Sequence, residues 1–289
     1  MNYRHHFHAG NFADVMKHVL LVQLIVALQK KEKGFLYLDT HAGRGSYDLS
    51  EAAKGDSRVR DPEWPDGIGR LWAMTEPPSP ILEYVDLVRR FDHDRGNRDA
   101  LPRFYPGSPW VARLLARPQD RIALCEKHPA EYLALAEEFR FSPRTTVQEM
   151  DGYVSLRAML PPLERRALVL IDPAYEVQDE FAQLVAALEA GLARLPSAVF
   201  ALWYPLTERA RVDRFQDELA ALALPPTLLV EMTIGNEQAG LKMRGCGLVV
   251  LNPPWQFDGV ARIVVTELAA KLAQSSGAAG SIRWLVPER

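Results

Sequence analysis

Short runs of almost continuous apolar residues, each finished by a polar residue or a turn, recur along this chain. They are FLYLD at 35–39, RIALCE at 121–126, RALVLID at 166–172, AVFALWYP at 198–205 and GCGLVVLNPP at 245–254, with TTVQEMD at 145–151 a weaker member. Helical patterns such as AEYLALAEEFR and EFAQLVAALEAGLARL lie between them. A strand that is apolar on both faces must be covered on both, and helices alternating with strands supply that cover. The pattern therefore predicts an α/β fold: a mostly parallel sheet with helices on both faces. In such sheets ligands bind beyond the carboxyl ends of the strands. The polar residues that finish the runs are where chemistry is expected.

Upstream of the first run, residues 11–30 place apolar side chains at three- and four-residue steps, which predicts a helix. Asn11 is suited to cap its start and Gly34 to end it. The interval between Leu38 and Ile122 is too long for one strand-helix-strand unit of roughly 30 residues. Its excess, about residues 47–108, contains the proline-rich stretches DPEWPDG and EPPSP and two helical pieces, GIGRLWAM and ILEYVDLVRRF. It reads as a small helical insertion within one domain spanning 1–289.

At 289 residues, 48% hydrophobic and 25% charged, the composition is that of an ordinary globular protein. No apolar run approaches the roughly 20 residues that cross a bilayer, and MNYRHHFHAG does not read as a signal peptide. Two cysteines, Cys125 and Cys246, with no C-x-x-C pair, argue for a reducing cytoplasm and against a cysteine zinc site. Net charge is −3, yet most of the seven histidines lie before position 42, together with Arg4, Lys17, Lys30, Lys31 and Lys33. A local basic face of this kind can bind phosphate on an otherwise acidic protein. Read blandly, Lys30 to Lys33 are the solvated end of a helix.

Three strand ends carry the chemistry. The loop DTHAGRG at 39–45 has glycines that permit tight turning and close backbone approach, but it is neither G-x-G-x-x-G nor a G-K-[ST] phosphate loop. Glu126 ends the second run, where a carboxylate can bridge ribose hydroxyls. Asp151, followed by Gly152, can accept a hydrogen bond from an adenine amine. Each acid taken singly reads as a helix cap or solvated strand end. Acids ending successive strands of one sheet describe a pocket for a nucleoside-containing cofactor that lacks phosphates.

LVLIDPAY at 168–175 and LVVLNPPW at 248–255 share a shape: an apolar strand running into a polar-Pro-x-aromatic turn. In such a turn the side-chain oxygen and the proline carbonyl accept the two hydrogens of an exocyclic amine, and the aromatic ring stacks on the base. Reaching that amine in paired nucleic acid requires the base to be flipped out. By spelling NPPW matches better. By position Asp172 does, because its strand is expected beside the first. Asp172, Pro173 and Tyr175 are therefore the expected catalytic set, and NPPW is expected to be a strand-ending turn with a buried tryptophan.

YRHHFHAGNFADVMKH, FLYLDTHAG, YPGSPWVARLL, LVLIDPAYE, ALWYP and NPPW, in this order, resemble the bacterial 23S ribosomal RNA adenine-N6 methyltransferases that modify adenine 2030. The resemblance runs through essentially the whole chain. It implies a Rossmann-like class I methyltransferase that uses S-adenosyl-L-methionine, with a helical insertion, acting in the cytoplasm as a monomer on 23S ribosomal RNA, with no metal and no membrane. Carried over, cofactor contacts fall on His18, His41, Ser108, Glu126, Asp151, Gly152 and Asp172. A substrate-contacting tyrosine falls on Tyr3, and the basic block around it offers Arg4, His5 and Lys17, with Tyr175 across the site. HHFH, which unaided suggests a metal site, is recast as part of that block. The family writes its turn D-P-P-Y, and here the second proline is Ala174, which removes a fixed φ and predicts a looser loop. The pocket chemistry alone also fits a DNA adenine methyltransferase or a glutamine-side-chain methyltransferase, and Ala174 admits an RNA-binding relative with impaired transfer.

Overall fold

The computed structural model describes residues 7–51, 61–75, 79–236 and 243–288. In chain order it contains α1 (Phe12–Gln29), β1 (Leu36–Asp39), β2 (Ser46–Asp48), α2 (Ile68–Leu71), α3 (Pro80–Asp94), β3 (Phe104–Pro106) and α4 (Ser108–Leu115). There follow β4 (Arg121–Glu126), α5 (Pro129–Glu138), β5 (Thr145–Glu149), α6 (Gly152–Met159), β6 (Ala167–Ile171) and α7 (Glu180–Arg194). The chain continues through β7 (Val199–Pro205), α8 (Arg209–Ala220), β8 (Thr227–Thr233), β9 (Gly245–Leu251), α9 (Phe257–Lys271) and β10 (Ala279–Val286).

Eight strands form one sheet in the order β10-β8-β9-β7-β6-β1-β4-β5. Pairings from β5 through β7 are parallel, whereas β9 runs antiparallel to both β7 and β8, and β10 antiparallel to β8. The sheet is thus mostly parallel, as expected, with an antiparallel strand wedged into one half. Side chains alternate between two cores, as the pleat requires. Tyr37, Leu168 and Leu170 face the layer of α1, α4 and α9, while Leu38, Val169 and Ile171 face α6, α7 and α8.

Asn11 caps α1 as the sequence suggests, its Oδ1 accepting from the Ala13 and Asp14 amides at 2.9 and 3.0 Å. Gly34 does not end the helix; Lys30 occupies that place. Gly34 is needed because a Cβ there would lie 2.1 Å from the Gln119 carbonyl oxygen. By length and composition α1 could cross a membrane, with a mean hydropathy of 1.5. Its apolar residues instead form the centre of one core layer.

After β1 the chain leaves the sheet and returns through the antiparallel pair β2–β3, where Tyr47 faces Tyr105. Helices α2 and α3 lie within that excursion, where the two helical pieces were expected. β2, β3, β8 and β10 had no counterpart in the sequence reading.

Candidate active site

Strand order reverses at β1: the chain builds β4 and β5 on one side, then crosses to β6 and β7 on the other. Such a switch point opens a crevice at the carboxyl ends of the two central strands. Asp39 ends β1 there, and Asp172 follows β6 one residue on. Thr40 fastens the two ends, its amide and hydroxyl both donating to the Leu170 carbonyl at 3.1 and 3.0 Å.

Asp39 is fully buried. Its Oδ2 accepts from Ser108 Oγ at 2.7 Å and Tyr37 Oη at 2.9 Å. Burial pushes its carboxyl up to about 6, although the two hydroxyls pull it the other way. This residue was visible as a strand-ending acid, yet it was not among the expected site residues. It is what positions Ser108, the first residue of α4.

The glycine loop closes over the next strand. Gly43 and Gly45 have φ of +60° and +90°, a region that disfavours a side chain. Glu126 holds this loop: Oε2 accepts from the Gly43 amide at 2.8 Å and Oε1 from the His128 amide at 2.7 Å. A carboxylate has about four acceptor directions, so these two bonds leave capacity for a diol. Asp151 caps α6 through Oδ1, which accepts from the Tyr153 amide at 2.9 Å, while Oδ2 meets Lys127 Nζ at 2.8 Å. Against the effect of burial, these donors hold its carboxyl below the ordinary range. Gly152 allows α6 to abut the β1 loop: a Cβ would sit 2.1 Å from the Thr40 carbonyl oxygen and 2.9 Å from His41 Cε1. His41 Nδ1 lies 2.8 Å from Thr40 Oγ1, and burial pulls the imidazole down to about 4, against the charges of Asp172 and Asp151.

Asp39 and His41 bear on stability with opposite signs. Asp39 holds its proton more tightly folded than unfolded, so its contribution falls as pH rises from about 4 to about 6, by roughly 3 kcal/mol. His41 stays neutral in the fold where the free imidazole is charged, so its contribution rises between about 4 and 6.5. The two offset each other. Urea melts of Asp39→Asn should therefore gain stability over the parent by roughly 2–3 kcal/mol across pH 4 to 6. Parallel pH profiles of the two proteins would count against the assignment.

Asp172 shares an ion pair that the sequence did not reveal. Lys17 Nζ lies 2.5 Å from Asp172 Oδ2 and 2.8 Å from Asp14 Oδ1, with only 6% of the lysine side chain exposed. Burial alone would lower the Lys17 pKa, but the two carboxylates outweigh it and hold it well above its ordinary value. Asp14 is held in turn by the Gly10 amide at 3.1 Å. Lys17, expected among RNA contacts, thus directs its ammonium at the DPAY acid. Asp14 was missed, although its place three residues before Lys17 on one helix face was a readable signal.

Tyr175 adopts φ +54° and donates from its hydroxyl to the Trp203 carbonyl at 2.6 Å. Its half-buried ring packs near Phe181 and Trp203, with centroids 5.0 and 5.8 Å away. Lys17 Nζ lies 6.0 Å from the centre of the Trp203 ring. Pro173 is buried and Ala174 exposed. His18 is buried, its Nδ1 2.9 Å from Tyr105 Oη, which lies 2.6 Å from Tyr84 Oη. Tyr3, Arg4 and His5 lie outside the described residues.

NPPW takes no part in this crevice. Because β9 is antiparallel, Asn252 emerges at the opposite edge, its Nδ2 donating to the Pro196 and Ala198 carbonyls at 2.8 Å each. The tryptophan was expected to be buried and is not: Trp255 is 76% exposed. Antiparallel pairing carries it out past the end of the sheet.

A crevice at this switch point, ringed by acids on β1, β4 and β5, in a sheet with one inserted antiparallel strand, defines a Rossmann-like class I methyltransferase fold. Residues 32–286 match the family model described as ribosomal RNA large subunit methyltransferase D, RlmJ, and the chain belongs to that family. It is 39% identical over 289 residues to the ribosomal RNA large subunit methyltransferase J of Escherichia coli K12, covering all of both chains. The protein of the same name from Haemophilus influenzae is 37% identical over 288 residues, again covering both in full. Among solved structures, a protein from Legionella pneumophila superposes with a TM-score of 0.84 at 33% identity, covering 96% of this chain and 97% of that one.

Proposed function

We infer that this enzyme transfers a methyl group from S-adenosyl-L-methionine to N6 of one adenine, position 2030, in 23S ribosomal RNA. The observation that carries this reading is the Asp172 carboxylate, fixed by Lys17 at the crevice, in a chain of the large-subunit methyltransferase family. The donor set suits the cofactor. Glu126 has acceptor capacity for ribose hydroxyls, Asp151 for the adenine amine, and His41, Ser108 and Gly152 line the same strand ends; His18 is assigned with them through the family resemblance. When bound, S-adenosyl-L-methionine supplies an activated methyl group.

The chain's own part is positioning and electrostatics. Asp172 and the Pro173 carbonyl accept the two hydrogens of the flipped adenine's amine, and Tyr175 packs against the base. The amine need not be deprotonated in advance. Its proton becomes acidic as nitrogen bonds to carbon, and leaves through Asp172. Lys17 keeps that carboxylate aimed, while Tyr3, Arg4 and His5 are assigned to the RNA.

The test is transfer of tritiated methyl from S-adenosyl-L-methionine to unmodified 23S RNA, beside DNA and a ribosomal protein pool, followed by nucleoside analysis. Label is expected as N6-methyladenosine in the RNA alone. Label in DNA would move the assignment to a DNA enzyme. Ala174 favours one second reading, an RNA-binding relative with impaired transfer; cofactor binding without label in any acceptor would establish it.

A further inference from the structure

The far edge of the sheet, where the parallel strands begin, gathers cations that are scattered in sequence. The Arg144, Phe35 and Arg166 carbonyls accept from the Ile122, Arg121 and Leu36 amides at 2.9 to 3.0 Å, which sets these residues side by side across the starts of β5, β4, β1 and β6. At about 4.8 Å per strand, this row spans roughly 15 Å. Arg166 donates to the Leu28 carbonyl at 2.8 Å and also to the Lys33 carbonyl, bringing the Lys30–Lys33 segment onto the same edge.

Six cations result: Lys30, Lys31, Lys33, Arg144, Arg165 and Arg166. All but the half-buried Arg166 are exposed, and none of the six forms an ion pair among the described residues. The hydrogen bonds made by Arg144 and Arg166 go to neutral carbonyls, so their charge is not cancelled. Nearby Asp120 and Glu164 are paired with Arg117 and Arg121, each at 3.0 Å, and act only through space on Arg166 and Arg144. With Glu32 among the lysines, the edge still keeps an excess of positive charge. A chain of net charge −3 has concentrated positive charge on one edge.

A second observation separates this edge from an ordinary solvated rim. Arg144 and Arg165 both occupy left-handed backbone, at φ +57° and +54°, immediately before β5 and just before β6. Glycine or asparagine suits such positions better. Two arginines at two equivalent strand entries, each held in an unfavourable conformation, point to a use for the side chain. Phe141 and Leu163, 88% and 93% exposed, flank them within three residues.

We propose that this edge is a second RNA-binding surface, which takes the phosphodiester backbone of the substrate RNA remote from the adenine being modified. The proposal rests on the RNA methyltransferase reading above. From Arg166 to Asp172 the chain runs along β6 for about 20 Å, so an RNA that only fills the catalytic crevice does not reach this edge. Full-length 23S RNA does. Its contribution is electrostatic, and it weakens with salt as counterions are released.

The experiment compares full-length 23S RNA with a short hairpin carrying the target adenine, using the complete protein and Arg144→Gly/Arg165→Gly. Glycine relieves the backbone, so the thermal midpoint should hold or rise. Affinity for full-length RNA at about 0.1 M salt should fall about tenfold or more, with a shallower salt slope, while kcat on the hairpin is unchanged. Lys31→Glu/Lys33→Glu, confined to exposed side chains, should reproduce the loss if the glycine variant fails to fold. Unchanged affinity for full-length RNA in a folded variant overturns the proposal, and so does an equal loss on hairpin and full-length RNA. Parent protein binding anionic phosphatidylglycerol vesicles through these residues, with RNA unaffected, assigns the edge to a membrane surface instead. Failure of the parent to methylate either RNA overturns the underlying reading separately.

Discussion

Asp172→Ala is expected to lower methyl transfer by about 10³-fold or more, because both orientation of the amine and the route for its proton depend on that carboxylate. The fold should survive. Lys17 loses one of two carboxylates and keeps Asp14 at 2.8 Å, so the ammonium is not left alone in the interior. Titration calorimetry with S-adenosyl-L-methionine should give a Kd within about threefold of the parent's, roughly 0.7 kcal/mol. Loss of cofactor binding in parallel with loss of turnover would make Asp172 a cofactor-holding or structural residue and remove it from the handling of the amine.

Lys17→Met has the second large effect, and here it falls on stability as well as activity. Two carboxylates that now share one ammonium, Asp14 at 4% and Asp172 at 16% side-chain exposure, would face each other without it. Breaking a buried ion pair from one side costs about 3–5 kcal/mol, since the abandoned charge stays buried. Urea unfolding should show a loss of that size. Adding Asp14→Asn should recover part of the stability, by removing one of the unmatched charges, but none of the turnover. A stability loss below about 1 kcal/mol, the scale of exposed pairs, would mean that the lysine is solvated and that the triad is not the unit described above.

The five strong apolar runs all became strands, because a strand buried on both faces has no alternative to a continuous apolar sequence. The missed strands fail that criterion for separate reasons. β10 alternates between exposed and partly buried positions, as an edge strand covered on one side does. β2 and β3 are three residues each and exist only because they pair with one another. β8 follows two prolines closely, which masked it as a loop. Strand direction was not legible either. That is why NPPW was expected to bury its tryptophan, when antiparallel pairing sends it outward.

Site residues divide along the same line. Glu126, Asp151 and Asp172 were readable because strand ends are local features of sequence. Lys17 with Asp172, 155 positions apart, and Ser108 with Asp39, 69 apart, are contacts of tertiary packing. Nothing in either segment alone marks its partner. Arg144 and Arg165 could not be singled out at all, since their backbone conformation has no signature in the letters.

The order of synthesis and the order of strands disagree at one place. β8 is made before β9, yet β9 lies between β7 and β8 in the finished sheet. Until residues 245–251 have been translated, β7 has no neighbour on its outer side and β8 has no place to dock. A chain that stalls on the ribosome before that point exposes a long apolar strand edge, the kind of edge that pairs with other chains. Lys17 and Asp172 are both translated by then, but the β7 that carries Trp203 beside them is still an open edge. Truncations ending before Gly245 should therefore aggregate, whereas truncations that remove only β10 take away an edge strand and leave the β7–β9–β8 ladder whole.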